Sequence, residues 1–348
     1  MNPVWHAYLQ SRGAIFQEDC IVSYGNAAAE LESARSRTVL SDLSHFGLIH
    51  FRGEDAETFL QGQLSCDIRR VTSLAASYGS YCNPKGRILA TFLIWRAADD
   101  SYLMRLPAML LAGIQKRLAM YVLRAKVKLE DSSGTWVRIG MAGSSAAALL
   151  GEILGEIPAE PLGVRYSERA SIIRLGENRF QLLILPEDAS VIWEDLSRNA
   201  MLVGKPCWDW LEIRAGIPNI LPPTQEQFVP QMVNLDALGG ISFQKGCYPG
   251  QEIVARTQYL GKIKRRMFLA NVRSETSDAP IEAGDELFSA DLGEQSAGMV
   301  VNAASSPNGG TDLLAVIQTS SVEAGEIRWK SLDGPALGIM PLPYSANQ

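Results

Sequence analysis

The chain has 348 residues, of which 47% are hydrophobic and 20% are charged, the balance of an ordinary globular protein with two or three domains. Its formal net charge of −6 argues against a broad nucleic-acid-binding surface, because phosphate neutralisation needs clustered Lys and Arg. The N-terminus lacks the pattern of a signal peptide, and the apolar runs are too short to span a bilayer. We therefore expect a soluble cytoplasmic protein without a membrane partner.

The first part of the chain predicts an α+β domain over residues 1–131. Apolar residues alternate as in strands or recur at helical spacing in successive segments. The predicted order is a strand at 46–53, a helix at 54–65, strands at 87–97 and 101–107, a helix at 108–123 and a strand at 125–131. Mixed elements in this order are typical of an α+β fold.

A second α+β domain is predicted over residues 132–258, and the two domains could be interleaved. The predicted order is a strand at 136–143, a helix at 144–154, strands at 170–176 and 179–186, and a helix at 187–200. Ser144 or Ser145 is the expected N-cap of the first of these helices. Because strand, helix, strand pair and helix occur in both domains, the pattern hints at a duplicated unit.

Short strands without an evident helix follow, separated by turns rich in Gly, Pro, Asn and Asp. They are predicted at 265–273, 285–290, 296–305, 311–318, 326–331 and 336–342. This pattern predicts a small β-barrel over residues 259–348.

Cysteine and histidine usage gives no sign of a disulfide framework or a permanent metal site. The five cysteines are widely spaced and form no CxxC pair. Four of them are interpreted as small buried hydrophobic residues: Cys20, Cys66, Cys82 and Cys207. His45 and His50 flank a strand-like stretch and are expected to be structural.

The stretch FQKGCYPGQEIVAR, residues 243–256, places a single cysteine in a specialised loop. Gly246 and Gly250 flank Cys247 and permit left-handed backbone or close approach of another segment. Pro249 fixes one φ angle and removes a donor. We therefore expect a rigid loop that holds Cys247 in a set orientation as a functional thiol.

The residues around Cys247 suggest how the thiol could be tuned and supported. Lys245 would stabilise the thiolate if its ammonium turned toward the sulfur. A helix is expected to begin near Gln251, and its N-terminal dipole would act in the same direction. On that helix Glu252 and Arg256 are four residues apart, the spacing of an ion pair or of a plain surface salt bridge.

The sequence K-G-C-Y-x-G-Q-E, from Lys245 through Tyr248 to Glu252, followed by IVAR, resembles the signature of the YgfZ family. These folate-binding proteins of iron–sulfur cluster assembly and tRNA modification are related to the T-protein, the aminomethyltransferase of the glycine cleavage system. Segments 53–68, 81–95, 214–218 and 296–305 also resemble the family. The resemblance implies two similar α+β domains and a C-terminal β-barrel, arranged round a central folate-binding hole.

Departures from the T-protein pattern bear on the activity that the resemblance implies. Ala90 or Thr91 stands where the T-protein has an aspartate that assists transfer, and neither is a carboxylate. Arg214 stands where the T-protein has a glutamate that helps to hold the pterin, and Glu212 lies two positions before it. Cys247 replaces the aspartate of its K-G-D motif. The resemblance therefore implies folate binding more strongly than aminomethyl transfer.

Candidate contacts of tetrahydrofolate or a folate derivative come from four positions. Asp67 and Gln63 could read the donor–acceptor edge of a pterin, or they could be surface polar groups. Arg214 stands at an expected contact. Trp208, like Trp210, could stack on the pterin, although core packing is the alternative.

The stretch RTQYLGKIKRR carries a local concentration of basic residues within this acidic chain: Arg256, Lys262, Lys264, Arg265 and Arg266. It predicts either a solvated charged turn or a patch for an anionic group, such as the glutamate tail of a folate.

Three functions are weighed, and whether the chain turns over a substrate is left open. The first is a folate-binding accessory factor for iron–sulfur cluster assembly or repair, with effects on tRNA modification that are indirect. Its partners would be assembly or client proteins, and Cys247 would ligate a cluster transiently or carry a sulfur or one-carbon adduct. The alternative is a tetrahydrofolate-dependent aminomethyl or methyl transferase of the T-protein type. The third, a non-enzymatic RNA-binding protein, is disfavoured by the acidic balance.

Overall fold

Helices and strands alternate over most of the chain, and antiparallel strands dominate its last part. The computed structural model describes residues 1–259, 263–273 and 280–345. In chain order its helices are α1 (Pro3–Ser11), α2 (Ala27–Ser36), α3 (Ala56–Gln61), α4 (Ala108–Ala119), α5 (Ala146–Leu154), α6 (Pro186–Ser197), α7 (Lys205–Arg214), α8 (Gln251–Tyr259) and α9 (Thr319–Ala324).

The strands carry the alternating apolar residues. In chain order they are β1 (Ile15–Gln17), β2 (Cys20–Ser23), β3 (Val39–Asp42), β4 (Phe46–Arg52), β5 (Ser77–Cys82), β6 (Ile88–Arg96), β7 (Tyr102–Pro107), β8 (Lys128–Asp131), β9 (Val137–Ala142), β10 (Val164–Tyr166), β11 (Ala170–Gly176), β12 (Arg179–Ile184), β13 (Met201–Leu202), β14 (Arg265–Val272), β15 (Glu286–Ser289), β16 (Ser296–Ser305), β17 (Thr311–Gln318), β18 (Ile327–Trp329) and β19 (Leu337–Met340).

The chain divides into two compact units, each built from several segments. Unit 1 comprises Met1–Phe59, Ile68–Ser77 and Leu93–Trp208, and unit 2 comprises Leu60–Asp67, Tyr78–Phe92 and Asp209–Gln348. The division into three domains drawn from the sequence stays a prediction.

Unit 1 contains a mixed sheet with the strand order β10-β11-β12-β9-β3-β13. Its pairs are antiparallel, except that β13 runs parallel to β3. Alternate residues of β9 and β12 enter one core together with residues three or four apart on α6, among them Ile139, Phe180, Leu182, Ile192 and Trp193. The strand period of two and the helix period of 3.6 thus direct their apolar faces to the same core.

The predicted helices are present, but several of their ends differ. Ser145 is the N-cap of α5, one of the two positions expected, although its side chain makes no capping hydrogen bond. The helix predicted at 108–123 ends at Ala119, and Leu123 has a left-handed backbone with φ +47°. The helix predicted at 54–65 spans only Ala56–Gln61; Gln63 N and Leu64 N bond back to Leu60 O, and Ser65 N bonds to Ser80 O.

A further sheet has the strand order β5-β6-β7-β4-β8. Six consecutive residues of β4, from Phe46 to Phe51, are buried, as are all six residues of β7. Such continuous burial is typical of strands that are covered on both faces.

The described C-terminal part of unit 2 is a curled antiparallel sheet with the order β18-β15-β16-β17-β14-β19. An isolated bridge between Arg328 and Ala336 brings together the ends of the two outer strands. Side chains such as Leu287, Val300 and Leu313 form its core. The α+β class and the strand-rich C-terminal region are therefore confirmed. The expectation that this region lacks a helix is wrong, because α9 follows β17.

Within the described ranges, no helix combines the length and the apolar character that crossing a bilayer requires.

Replacing Glu30 by Gln is expected to lower the free energy of unfolding by about 2 kcal/mol. This buried carboxylate on α2 accepts hydrogen bonds from Ser23 Oγ (2.8 Å), Tyr24 N (2.7 Å) and Gly204 N (2.9 Å). An amide cannot accept through both of its heteroatoms, so one buried donor loses its partner. Urea denaturation measures the loss, and Glu32→Gln on the exposed face of α2 is the control. Equal losses in the two variants would contradict the prediction.

Candidate functional site

Cys247 differs from the other cysteines in its exposure. Its side chain is exposed, whereas those of Cys66, Cys82 and Cys207 are buried and that of Cys20 is partly exposed. No disulfide joins any of the five within the described residues. Burial raises the pKa of the Cys82 thiol to about 12, so this thiol stays protonated at neutral pH. Solvent therefore reaches Cys247 readily but not Cys82.

Lys245 lies two residues before Cys247, and its side chain turns into the protein. Its Nζ donates hydrogen bonds to Leu64 O (2.6 Å) and Cys66 O (2.9 Å), and only 9% of the residue is exposed. These two hydrogen bonds direct the ammonium to backbone carbonyl groups. A role of Lys245 in stabilising the thiolate, suggested on the condition that the ammonium turned toward the sulfur, stays a prediction.

Tyr248, the residue directly after Cys247, is buried. Tyr248 is 5% exposed, and the Lys245 ammonium lies 5.2 Å from the centroid of its ring. Burial, reinforced by the nearby Cys82 and Cys66, raises the pKa of the phenol well above its ordinary value. Cys247 is thus an exposed thiol two residues after one buried side chain and directly before another.

Gly250 completes the thiol loop, which we define as residues 243–250. Its φ is +81°, and an added Cβ would lie 2.5 Å from both Asn83 O and Gly86 Cα. Gly86 also has a positive φ, of +71°. Gly246 shows neither feature, since an added Cβ there meets no atom within 4 Å. The special backbone that the sequence suggested for both loop glycines is required at Gly250.

The turn that meets Gly250 belongs to the family-like segment between β5 and β6. Asn83 Oδ1 accepts hydrogen bonds from Lys85 N (2.9 Å) and Arg87 N (3.0 Å), and Gly86 N bonds to Asn83 O (2.9 Å). An asparagine side chain that bonds to the backbone two residues ahead is typical of tight turns. Asn83 and Gly86 were missed as supports of the loop, although Asn-Pro-Lys-Gly is a recognisable turn sequence.

Helix α8 begins at Gln251, as predicted. Gln251 Nε2 lies 3.5 Å from Lys245 O, and Val254 O accepts a hydrogen bond of 2.7 Å from the buried Gln231 Nε2. Glu252 and Arg256 are both exposed, and no ion pair joins them in the part of the chain that the structure describes. The expected pair on this helix is therefore absent.

The segment 63–67 is bonded to the residues that lead into the thiol loop. Ser65 is fully buried; its Oγ donates to Gly240 O (2.7 Å), and its carbonyl accepts from Ser242 N (2.9 Å). Ser80 N bonds to the same Oγ at 2.8 Å. The Lys245 ammonium adds its two hydrogen bonds on either side of Ser65. No local sequence pattern signals this serine, because Gly240 and Ser242 lie far along the chain.

The two candidate folate contacts Gln63 and Asp67 lie at the ends of this segment. Gln63 Oε1 is buried without a hydrogen-bond partner among the described residues. Asp67 Oδ1 accepts from Gln61 Nε2 at 2.9 Å. The Gln63 Oε1 is thus a buried acceptor that an N–H group of a bound ligand could satisfy. The structure thus brings Gln63 and Asp67 close in the chain to the residues that hold the thiol loop.

Arg214 and Glu212 have different surroundings on α7. Arg214 is exposed, and its Nη1 lies 3.9 Å from Asp312 Oδ2. Glu212 is 1% exposed, and its carboxylate accepts a hydrogen bond from Asn219 Nδ2. The buried acid on this helix is thus Glu212.

Trp208 belongs to the core of unit 1. It is fully buried, and a Cβ added to Gly140 would lie 2.5 Å from its ring. Its ring has no exposed face for stacking, which favours core packing over the suggested contact with a pterin. Trp210 in unit 2 is also buried, and its Nε1 donates to Asp312 Oδ2 at 2.8 Å.

Ala90 and Thr91 are buried on β6. The Thr91 hydroxyl donates to Pro218 O (2.9 Å) and accepts from Ile220 N (3.0 Å). This hydroxyl ties β6 to the segment after α7, and neither residue supplies a base for transfer chemistry.

The basic stretch that begins on α8 forms a smaller exposed patch than its sequence suggests. Arg266 is buried and makes a bidentate pair with Asp236, at 2.7 and 2.8 Å. Lys262 lies outside the described residues. Arg256, Lys264 and Arg265 are exposed.

His50, Ser101 and Asp99 form a hydrogen-bonded chain that contains the residue types of a catalytic triad. His50 Nε2 lies 2.5 Å from Ser101 Oγ, which in turn donates to Asp99 Oδ1. The serine is therefore the middle member, and its proton is directed to the carboxylate rather than to the imidazole. These hydrogen bonds support the β6–β7 hairpin, which agrees with a structural role for His50. Burial lowers the pKa of His50 and, more strongly, that of His45.

No group of three or more His, Cys, Asp or Glu side chains in the described ranges is arranged to hold a metal ion.

Comparisons with known proteins agree with this architecture. The GCVT N-terminal domain family matches residues 11–199. The chain is 32% identical over 305 residues to the tRNA-modifying protein YgfZ of Edwardsiella ictaluri, covering 86% of this chain and 90% of the relative. It is 33% identical over 259 residues to the protein of the same name from Colwellia psychrerythraea, covering 74% and 78% of the two chains.

A solved structure shares the fold. The glycine cleavage system aminomethyltransferase T from Bartonella henselae superimposes with a TM-score of 0.78 at 19% sequence identity, over 100% of this chain and 99% of that one. This likeness shows that the chain shares the T-protein fold, and the sequence matches show that it belongs to the YgfZ family.

Proposed function

We propose that this protein is a folate-binding accessory factor in iron–sulfur cluster assembly or repair, with Cys247 as its functional thiol. The observation that carries the proposal is the placement of Cys247. It is an exposed thiol in a loop held by buried Lys245, buried Tyr248 and the close approach of Gly250 to Gly86. A protein that needed only a small hydrophobic side chain would bury it, as this chain does with Cys82.

The chemistry open to Cys247 is that of a single accessible thiolate. Iron–sulfur clusters are held by several cysteine thiolates, and this loop offers one. A cluster bound here would be shared with an assembly or client protein that supplies the remaining ligands. Such a shared site fits transient handling rather than permanent storage.

Tetrahydrofolate is the proposed ligand of the segment around Gln63 and Asp67. The buried Gln63 Oε1 would accept a hydrogen bond from the pterin, and Asp67 would accept from its other N–H groups. When bound, a reduced folate supplies a carrier for one-carbon units. Glu212 and Arg214 on α7 are further candidates for its recognition.

The role in tRNA modification is proposed to be indirect. The relatives are named tRNA-modifying proteins. This chain is acidic overall, and Arg266 is engaged in an ion pair, so direct binding of tRNA is not expected. Modification enzymes that need iron–sulfur clusters would depend on it, and we propose a cytoplasmic location with those enzymes.

Cys247→Ala is expected to abolish function in cells without changing folding or folate binding. The test is complementation in a bacterium that lacks its own member of the family, with iron–sulfur enzyme activity and modified tRNA content as readouts. Cys20→Ala, at the partly exposed cysteine, is the matched control and should complement fully.

Calorimetry with tetrahydrofolate on the purified proteins completes this test. Binding in both the wild type and Cys247→Ala would separate the folate site from the thiol. Full complementation by Cys247→Ala would refute the thiol role, and absence of binding in the wild type would refute the folate role.

A further inference from the structure

Lys245 connects the segment that carries the candidate folate contacts to the loop that carries the thiol. Its backbone belongs to the thiol loop, whereas its Nζ bonds to the carbonyl groups of Leu64 and Cys66. We name these two hydrogen bonds the Lys245 link. Gln63 directly precedes one acceptor residue, and Asp67 directly follows the other.

The link is made of strong contacts in a protected place. An ammonium donor to a carbonyl makes a charge-assisted hydrogen bond, and at 9% exposure water competes with it little. The Tyr248 ring beneath the ammonium adds a cation–π contact at 5.2 Å. A displacement of the segment 63–67 would therefore be transmitted to Lys245.

The surrounding backbone makes the connection specific to this pair of segments. Ser65 lies between the two acceptor residues and bonds to Gly240 and Ser242, in the segment that leads into the thiol loop. Gly250 fixes the far end of the loop against Asn83 and Gly86. Between these fixed ends, the Lys245 side chain donates its two hydrogen bonds to the segment 63–67, and the Tyr248 ring lies near Cys66 of the same segment. Cys247 stands between these two residues in the chain.

We propose that Lys245 is a positioning residue through which occupancy of the folate site controls the reactivity of Cys247. The inference rests on the proposed folate site at Gln63 and Asp67. A pterin bonded to the buried Gln63 Oε1 would order the segment 63–67, and the Lys245 link would pass that order to the loop. The thiol would then sample fewer conformations in which it can react. The availability of folate would in this way regulate the reactivity of the Cys247 thiol, although the bound folate would not contact the sulfur.

The test measures the rate at which iodoacetamide alkylates Cys247, followed by mass spectrometry of the peptide that contains it. Measurements are made without and with saturating tetrahydrofolate, under anaerobic conditions without added thiols. In the wild type we expect folate to slow alkylation about fivefold, the lower range for coupled sites. In Lys245→Met, which keeps the apolar stem but loses the ammonium, we expect faster alkylation without folate and no slowing with it. Lys116→Met, at an exposed lysine on α4, is the matched control and should behave as the wild type.

Calorimetry on each variant separates this inference from the proposed function. Failure of the wild type to bind tetrahydrofolate would refute the folate site, and the coupling with it. Binding without any change in alkylation would refute the coupling alone. Equal slowing in the wild type and Lys245→Met would also refute it, because the ligand would then cover the thiol directly.

A second variant keeps the test decisive if Lys245→Met does not fold. Lys245→Arg retains the charge, but its planar guanidinium cannot reproduce the geometry of the ammonium. Slowing by folate is then expected to be weaker than in the wild type while binding is retained. Undiminished slowing in Lys245→Arg, with Lys245→Met unfolded, would overturn the positioning role.

Discussion

Gly250→Ala is expected to lower the free energy of unfolding by about 3 kcal/mol and to displace the thiol loop. The residue has φ +81°, where a side chain costs energy even in open space. Here the new Cβ would also lie 2.5 Å from Asn83 O, 2.5 Å from Gly86 Cα and 2.6 Å from Gly86 N. All three are backbone atoms, so no side-chain rotation can relieve the overlap. Urea denaturation followed by circular dichroism measures the loss.

The matched control lies four residues away in the same loop. Gly246 has no positive φ, and a Cβ added there meets no atom within 4 Å. Gly246→Ala should therefore change the free energy of unfolding by no more than about 0.5 kcal/mol. Similar losses in the two variants would contradict the prediction, because the close contact of Gly250 with Gly86 would then have no effect on stability.

Arg266→Met is expected to cost about 3 kcal/mol of unfolding free energy. Arg266 and Asp236 are 8% and 12% exposed in their side chains and form a bidentate pair, and Arg266 Nη1 also donates to Gln231 O. Removal of the guanidinium leaves a carboxylate in a poorly hydrated place without its counter-charge. The double variant Arg266→Met/Asp236→Asn should recover part of the loss, because the uncompensated charge is gone.

The exposed pair of Arg198 and Asp195 provides the comparison. Arg198 is 73% exposed, and its Nη2 lies 3.3 Å from the carboxylate, so Arg198→Met should cost no more than about 1 kcal/mol. Thermal and urea unfolding of the single variants decide the matter. A loss at Arg266 as small as that at Arg198 would show that the buried pair contributes nothing beyond a surface contact.

Asn83 and Gly86 show why the supports of the loop were harder to predict than the loop itself. Their turn sequence is visible, but nothing in it says that Gly250, more than 160 positions later, packs against it. Ser65 is a stronger case, since an isolated serine has no pattern, and Gly240 O, its acceptor, is 175 residues away. Contacts of this kind depend on how distant segments fold together, which local spacing does not encode.

The sequence by itself determined the features that depend on near neighbours. Alternation and helical spacing predicted β4, β11, β16 and β17 and the start of α8, because side-chain direction repeats with a period set by the local backbone. The motif around Cys247 pointed to a specialised thiol loop and to the family. The tertiary structure alone decided what each polar group in that loop does. It directed the Lys245 ammonium to carbonyl groups 181 and 179 residues away, left Glu252 and Arg256 unpaired with each other, and buried Arg266 against Asp236. The reason is physical: a long side chain has many rotamers of similar energy, and the partner that folding brings within reach selects among them.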